Sequence, residues 1–137
     1  MAKRDIVVIG SSAGGVLALK ELVTSLPADF KAPIFIVQHI AAYATSLLPQ
    51  ILNHAGSLKA VHPSDGDSIK PGHIYLAPPD HHLLIEKDRV LVKKGAIVMR
   101  LETENGYEAE SITWFRRYFW VEFSLLMKIC LRSTRNP

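Results

Sequence analysis

Residues 5–16 read Asp-Ile-Val-Val-Ile-Gly-Ser-Ser-Ala-Gly-Gly-Val, and this stretch decides the fold. Its four aliphatic residues, Ile6 to Ile9, do not alternate with polar ones, which is typical of a parallel strand that is buried on both faces. Small residues then predict a tight turn. Apolar side chains spaced by three and four residues follow, and they predict one face of a helix: Leu19, Leu22, Val23 and Leu26. The sequence therefore predicts a strand, a turn and a helix in immediate succession.

The composition is that of one ordinary globular domain, with 137 residues of which 48% are hydrophobic and 21% are charged. The net charge of +3 is only mildly basic and its lysines and arginines are spread out, so we expect no nucleic-acid partner. Cys130 is the single cysteine, which excludes an intramolecular disulfide and a zinc site built from thiolates. Only four residues precede the first predicted strand and they contain no apolar leader, which favours a cytoplasmic protein.

A second buried strand is predicted over residues 33–37, Pro-Ile-Phe-Ile-Val, and it is followed by Gln38 and His39. The two strands and the helix between them form a βαβ unit, so the strands should be parallel neighbours. Ligands bind to sheets of this kind beyond the carboxyl ends of the strands. Because Ser12 and His39 each follow such an end, we expect these two side chains to be neighbours.

A second helix is predicted over residues 45–54, with Thr45 or Ser46 as its N-cap, Pro49 in its first turn and Gly56 at its end. Its side chains expected to face the core are Leu47, Leu48, Ile51 and Leu52. Further strands are predicted over residues 59–62 and 73–77, and a hairpin over residues 83–85 and 89–92. The expected fold is α/β and three-layered, with a mainly parallel, doubly wound (Rossmann-like) sheet and a β-hairpin, incomplete at the C-terminus.

The pattern changes beyond Lys94. Both tryptophans and three of the five phenylalanines lie between Trp114 and Phe123. The apolar run from Phe119 to Leu131 is shorter than the ~20 residues of a membrane span, so we expect no membrane insertion. This run is either a buried helix or sequence not selected for this fold. We expect residues 1–100 to form the domain and residues 101–137 to be a divergent tail, truncated or frameshifted.

The turn contains a Gly10-x-Ser12-x-Gly14 pattern, which is typical of a serine nucleophile on a sharp strand-to-helix turn. His39 is the candidate general base, because an imidazole titrates near neutral pH. Two alternatives stay open from the residues alone. Ser11 and Ser12 could be helix caps, and the turn could be a dinucleotide phosphate loop, although its glycine spacing does not fit GxGxxG.

Four histidines raise the question of a metal site: His62, His73, His81 and His82. Adjacent histidines in a strand point to opposite faces, so His81 and His82 cannot chelate one ion together. We therefore expect no metal and no cofactor.

Several motifs resemble, in order and from about Lys3 to Lys94, the catalytic domain of bacterial chemotaxis protein-glutamate methylesterases of the CheB type. The segments that carry this resemblance are residues 8–15, 26–30, 36–40, 45–48, 72–80 and 82–84. The resemblance implies that Ser12 is the nucleophile and His39 the base. It also implies that Ala13 and Gly14 help to hold the oxyanion, and that His82 borders the active site.

The resemblance further implies glutamate γ-methyl esters on the cytoplasmic helices of methyl-accepting chemoreceptors as substrates, with glutamine deamidation as a related activity. This would place the protein in the phosphorelay of chemotaxis signal transduction, although we expect no receiver domain in this chain. The third catalytic residue of the family is a late aspartate, and no aspartate follows Asp88 here. We therefore expect weak or no activity, and the alternative is an inactive remnant that at most binds receptor helices.

Overall fold

The computed structural model describes residues 3–11, 15–38, 45–86, 88–94 and 128–134, with the backbone alone considered for residues 3–5 and 128–134. Seven strands and two helices occur in these ranges. In chain order they are β1 (Lys3–Ser11), α1 (Gly15–Ser25), β2 (Ile34–Gln38), α2 (Leu48–Ala55), β3 (Lys59–Val61), β4 (His73–Leu76), β5 (His81–Ile85), β6 (Val90–Lys94) and β7 (Lys128–Thr134).

The main sheet has five strands in the order β3-β4-β2-β1-β7. The strands from β3 to β1 are parallel to one another, and β7 is antiparallel to β1. The expected parallel pairing of the first two long strands is confirmed, with Val7 opposite Ile34 and Ser11 opposite Gln38. Strands β5 and β6 form a separate antiparallel pair, which confirms the predicted hairpin.

Alternate residues of the sheet face two separate apolar cores. One face packs against α1 and α2, and its buried residues include Ile9, Ile36, Leu19 and Leu52. The opposite face packs against the β5–β6 hairpin, and its buried residues include Val8, Phe35, Tyr75 and Leu83. The α/β, three-layer, Rossmann-like arrangement is thus confirmed, with both described helices on one face and the hairpin on the other.

Helix α2 begins later than the sequence indicated. It starts at Leu48, and Leu47 occupies the N-cap position without a side-chain capping bond, so neither Thr45 nor Ser46 is the N-cap. Pro49 lies in the first turn, where the N–H that it lacks would have no partner within the helix. The expectation that Leu47 faces the core is wrong, since 60% of its surface is exposed. Gly56 ends the helix as predicted.

The end of the apolar tail is a strand. Residues 128–134 form β7 along the outer edge of β1, so a helix running through Leu131 is wrong for these residues. An edge strand offers unpaired backbone N–H and C=O groups, and a segment containing β-branched residues such as Ile129 and Thr134 can pair with them. Residues 119–127 of the same run lie outside the described part of the chain.

Candidate functional site

Most of the predicted site residues fall outside the described part of the chain. Ser12, Ala13, Gly14 and His39 are not described, whereas His82 is. Ser11 and Gly15, on either side of residues 12–14, are described, and so is Gln38, just before His39. The site can therefore be built from these flanking residues.

The carboxyl ends of three parallel strands lie side by side at one edge of the sheet. Ser11, the last residue of β1, is opposite Gln38, the last residue of β2. On the other side of β2, the N–H of Ala77, just after β4, donates to the carbonyl of Ile36 at 3.0 Å. This edge is where ligands bind in open α/β sheets. In the sequence, Ser12 and His39 are the next residues after Ser11 and Gln38.

Ser11 and Gln38 are also joined through their side chains. The Ser11 hydroxyl donates a hydrogen bond to Oε1 of Gln38. The two residues are 7% and 8% exposed, and they are the buried polar residues of the described core. The Ser11 hydroxyl is thus buried and engaged within the fold. Ser11 is not the N-cap of α1, because it belongs to β1 and the helix begins at Gly15.

Gly15 lets α1 begin directly against these two strand ends. A Cβ atom added to Gly15 would lie 2.7 Å from Oε1 of Gln38 and 2.7 Å from Cβ of Ser11, which is closer than real Cβ atoms come. The absence of a side chain at residue 15 is thus a requirement of close packing. No pattern in the sequence marks Ser11, Gln38 and Gly15 as a group. The only local signal was the run of small residues in the turn.

The burial of Gln38 also bears on the alternative that the turn is a dinucleotide phosphate loop. In that arrangement, a side chain at the end of the second strand holds the ribose of the ligand. Gln38 occupies this position, but its side chain is buried and bonded to Ser11. The position is therefore used for internal packing, which argues against a ribose site.

The turn after β4 leads to the remaining predicted site residue. Asp80 ends this turn with a φ of 60°, a left-handed conformation that aspartate tolerates better than most residues. His81 follows, and its Nδ1 donates to the carbonyl of Pro79 at 2.7 Å. His82 is half-buried in β5 opposite Lys93. The hairpin that carries His82 thus begins a few residues beyond the carboxyl end of β4.

Two further histidines, His62 and His73, are bonded to backbone carbonyl groups. Nδ1 of His62 donates to the carbonyl of Leu76 at 3.0 Å, and Nδ1 of His73 donates to the carbonyl of Pro71 at 2.9 Å. A carbonyl oxygen can only accept, so each of these nitrogens carries a proton. Within the described ranges, no group of three histidine, cysteine, aspartate or glutamate residues could hold a metal ion.

Asp65 connects the loop before β4 to the hairpin through hydrogen bonds. Its carboxylate accepts hydrogen bonds from the N–H of Val92 at 2.8 Å and from Nζ of Lys93 at 3.1 Å. These two bonds, the one from Val92 first, lower the pKa of Asp65 below its ordinary value. Tyr75 in β4 also contacts this loop, because its hydroxyl donates to the carbonyl of Ser68 at 3.1 Å, and burial raises the pKa of this tyrosine.

Neither α1, with 11 residues, nor α2, with 8, has the length and apolar character that crossing a bilayer requires. This finding concerns the two helices in the described part of the chain.

Comparisons with known proteins agree on one family. The family model described as CheB methylesterase matches residues 7–117. A protein-glutamate methylesterase/protein-glutamine glutaminase of Maricaulis maris is 42% identical over 87 residues, which cover 64% of this chain and 22% of that protein. A protein of Myxococcus xanthus named protein-glutamate methylesterase/protein-glutamine glutaminase 4 is 40% identical over 113 residues, which cover 82% of this chain and 30% of that protein.

A solved structure agrees with these sequence relatives. The Thermotoga maritima CheB methylesterase catalytic domain superposes with a TM-score of 0.58 at 34% identity, over 69% of this chain and 51% of that one. This chain thus spans about half of that domain. It spans 22% to 44% of the curated relatives that it matches.

Proposed function

The chain belongs to the CheB methylesterase family, and from that premise we propose that it is a serine carboxylic-ester hydrolase acting on glutamate γ-methyl esters of proteins. Its substrates are the cytoplasmic helices of methyl-accepting chemoreceptors, and it works in the cytoplasm. The observation that carries this proposal is the pairing of Ser11 with Gln38. That pairing makes Ser12 and His39 the next residues after two neighbouring parallel strand ends.

In the proposed reaction, the His39 imidazole accepts the proton of the Ser12 hydroxyl while the serine oxygen attacks the ester carbonyl. Backbone N–H groups of Ala13 and Gly14, which precede α1 in the sequence, stabilise the oxyanion, and His82 borders the substrate. The tetrahedral intermediate expels methoxide, which takes the proton from His39 and leaves as methanol, and an acyl-serine remains. Water then hydrolyses this ester, so that the protein substrate regains a free glutamate and Ser12 regains its proton.

The choice of Ser12 over Ser11 has structural support. The Ser11 hydroxyl is buried and donates to Gln38, so a substrate carbonyl cannot approach it. Of the two adjacent serines, Ser12 is therefore the one proposed to react.

Glutamine deamidation is a second proposed activity of the same site. The relatives from Maricaulis maris and Myxococcus xanthus both carry the name protein-glutamine glutaminase beside methylesterase. A glutamine side chain differs from the methyl ester only in its leaving group, which is ammonia in place of methanol. The same acyl-serine and the same glutamate product would result.

Turnover by this chain is proposed to be slow. No aspartate follows Asp88 in the sequence, so the late aspartate that would orient the His39 imidazole has no counterpart. Loss of that partner lowers the rate about 10⁴-fold in a well-studied serine protease. The missing aspartate equally favours a second candidate function, in which the chain is catalytically inactive and only binds receptor helices. We propose further that residues 1–100 are the methylesterase part and residues 101–137 a divergent tail.

Methanol release from a methylated receptor fragment separates the two candidate functions. We expect slow release by the unmodified protein, loss of release in a Ser12→Ala variant, and unchanged release in a control Ser57→Ala variant at an exposed serine. Release at the rate of an intact triad would contradict the proposed role of the missing aspartate. If no variant releases methanol while all of them bind the fragment equally, the binding function is supported and the hydrolase proposal is wrong.

A further inference from the structure

Two large apolar side chains are exposed in the described part of the chain, and both lie at the start of a helix. Leu17, in the first turn of α1, is 69% exposed, and Leu47, at the N-cap position of α2, is 60% exposed. We propose that these two leucines form a docking surface for an amphipathic helix of the protein substrate. The inference rests on the proposed function, because it takes the occupant of this surface to be the protein that carries the glutamyl ester.

The start of α1 lies at the edge of the sheet where the candidate site is. Gly15, the first residue of α1, packs directly against Ser11 and Gln38, the last residues of β1 and β2. Leu17 follows two positions later in the same helical turn. Its exposed side chain therefore belongs to the surface beside the carboxyl ends of these two strands.

Leu47 lies at the corresponding end of α2. Both helices connect parallel strands of one sheet, so they run in the same direction. Near their C-terminal ends they touch, where the Thr24 hydroxyl oxygen is 3.0 Å from the carbonyl oxygen of Ala55. Leu17 is seven residues before Thr24, and the two share one face of α1.

The two leucines also lie at similar heights along their helices. Leu47 is eight residues before Ala55, as Leu17 is seven before Thr24. At a rise of about 1.5 Å per residue, each leucine is about 10–12 Å from the contact between the helices, measured along the helix axis. Both therefore belong to one surface, at the N-terminal ends of two neighbouring helices.

Neither leucine is suited to stabilising its helix. An N-cap position favours serine, threonine, aspartate or asparagine, and Leu47 makes no side-chain capping bond there. The first turn of a helix favours acidic side chains, yet neither α1 nor α2 has one in its first turn. Exposed leucines also leave apolar surface in contact with water. Residues that go against local stability in this way are typical of functional surfaces.

An amphipathic helix has the chemistry to cover this surface. Its apolar stripe would bury the exposed parts of Leu17 and Leu47, and the polar residues beside the stripe would face the strand ends. A helix that presents a glutamyl ester also presents the residues three and four positions before and after it. A methyl ester alone buries little area, so contacts of the leucines with these flanking residues would supply affinity and orientation.

Binding measurements without turnover test this proposal. The probe is a helical cytoplasmic fragment of a methyl-accepting chemoreceptor that carries glutamate γ-methyl esters, and calorimetry measures its Kd. We expect Leu17→Gln and Leu47→Ser each to weaken binding about tenfold, because each removes one buried leucine contact. Leu47→Ser also creates a Ser-x-x-Gln capping pattern with Gln50, so its melting temperature should not fall. Weaker binding without a loss of stability is not expected of a residue with a merely structural role.

Ser57→Ala, at an exposed position beyond the other end of α2, is the control and should leave affinity and melting temperature unchanged. Equal affinity of all variants would overturn the proposal, as would a failure of the unmodified protein to bind the fragment. If sedimentation shows that the leucine substitutions convert a dimer into a monomer without changing the affinity for the fragment, the occupant is a second copy of this chain and the proposal is wrong. Because binding requires no turnover, the expected affinities together with an absence of methanol release would contradict the proposed hydrolase function alone.

Discussion

The side-chain amide of Asn53 in α2 binds both backbone groups of Ala60 in the edge strand β3. Its Nδ2 donates to the Ala60 carbonyl and its Oδ1 accepts from the Ala60 N–H, each at 2.8 Å. These groups point away from β4, so the asparagine takes the place of a neighbouring strand. An edge strand with unpaired backbone groups can pair with other chains. Because Asn53 occupies the free backbone groups of Ala60, this contact hinders such pairing at β3.

Replacing Asn53 by alanine should lower the free energy of unfolding by about 2 kcal/mol, since two hydrogen bonds of about 1 kcal/mol each are lost. Urea denaturation measures the change. Gln50→Ala, at an exposed position of the same helix, should change stability by less than about 0.5 kcal/mol. Equal stability of the two variants would show that the contact contributes nothing.

The Asp65 carboxylate predicts a specific dependence of stability on pH. Its pKa is lowered from 3.8, first by the hydrogen bond from Val92 and then by that from Lys93. A carboxyl group with a lowered pKa in the folded state stabilises the fold above its unfolded pKa, and this contribution is lost as the pH falls through the folded pKa. Melting temperatures of the unmodified protein and of Asp65→Asn should therefore differ at pH 6 and converge below about pH 3.8. A difference that stays constant down to pH 3 would contradict this assignment.

Gly15 should not tolerate a side chain. In a Gly15→Ala variant the new methyl group would overlap Oε1 of Gln38 and Cβ of Ser11, so α1 or the strand ends would have to move. We expect a loss of about 1–3 kcal/mol, measured by thermal unfolding, even though alanine favours helix formation. Leu17→Ala, an exposed position of the same helix, is the control and should be nearly neutral. A stable Gly15→Ala protein would mean that the start of α1 packs less closely than described.

The two faces of the hairpin should differ sharply in their sensitivity to mutation. Leu83 is fully buried in the core beneath the sheet, whereas its neighbour Leu84 points to the opposite face and is only half-buried. Leu83→Ala should cost about 2–5 kcal/mol and Leu84→Ala clearly less, as measured by denaturant unfolding. Similar losses for both would indicate that the hairpin does not pack on the sheet through this face.

The first βαβ unit was predictable because its signals are local. Uninterrupted apolar runs mark β1 and β2, and spacings of three and four mark α1. The start of α2 was missed because cap-forming residues at positions 45 and 46 indicated an earlier start, whereas Leu47, which has no capping side chain, is the N-cap. The strand β7 was missed because a short apolar run is compatible with either a helix or a strand. The strand is favoured by the free edge of β1, which is far away in the sequence.

The candidate site was only partly predictable, because its contacts also depend on residues that are far apart in the sequence. The sequence indicated which residues follow the strand ends, and their roles as nucleophile and base stay predictions. The bond between Ser11 and Gln38 had no local signal, because the two residues are 27 positions apart and meet only through the strand register. Gly15 lay within a visible run of small residues, but its close approach to Gln38 depends on that same register.

Covalent labelling of the serine tests the central claim most directly. A fluorophosphonate reacts with an activated serine hydroxyl and loses fluoride, and peptide mass spectrometry then identifies the labelled residue. We predict a label on Ser12 that forms more slowly in a His39→Ala variant, with Ser11 unlabelled in both proteins. A label on Ser11, or labelling of Ser12 no faster than in the unfolded chain, would contradict the assignment of Ser12 as a nucleophile activated by His39.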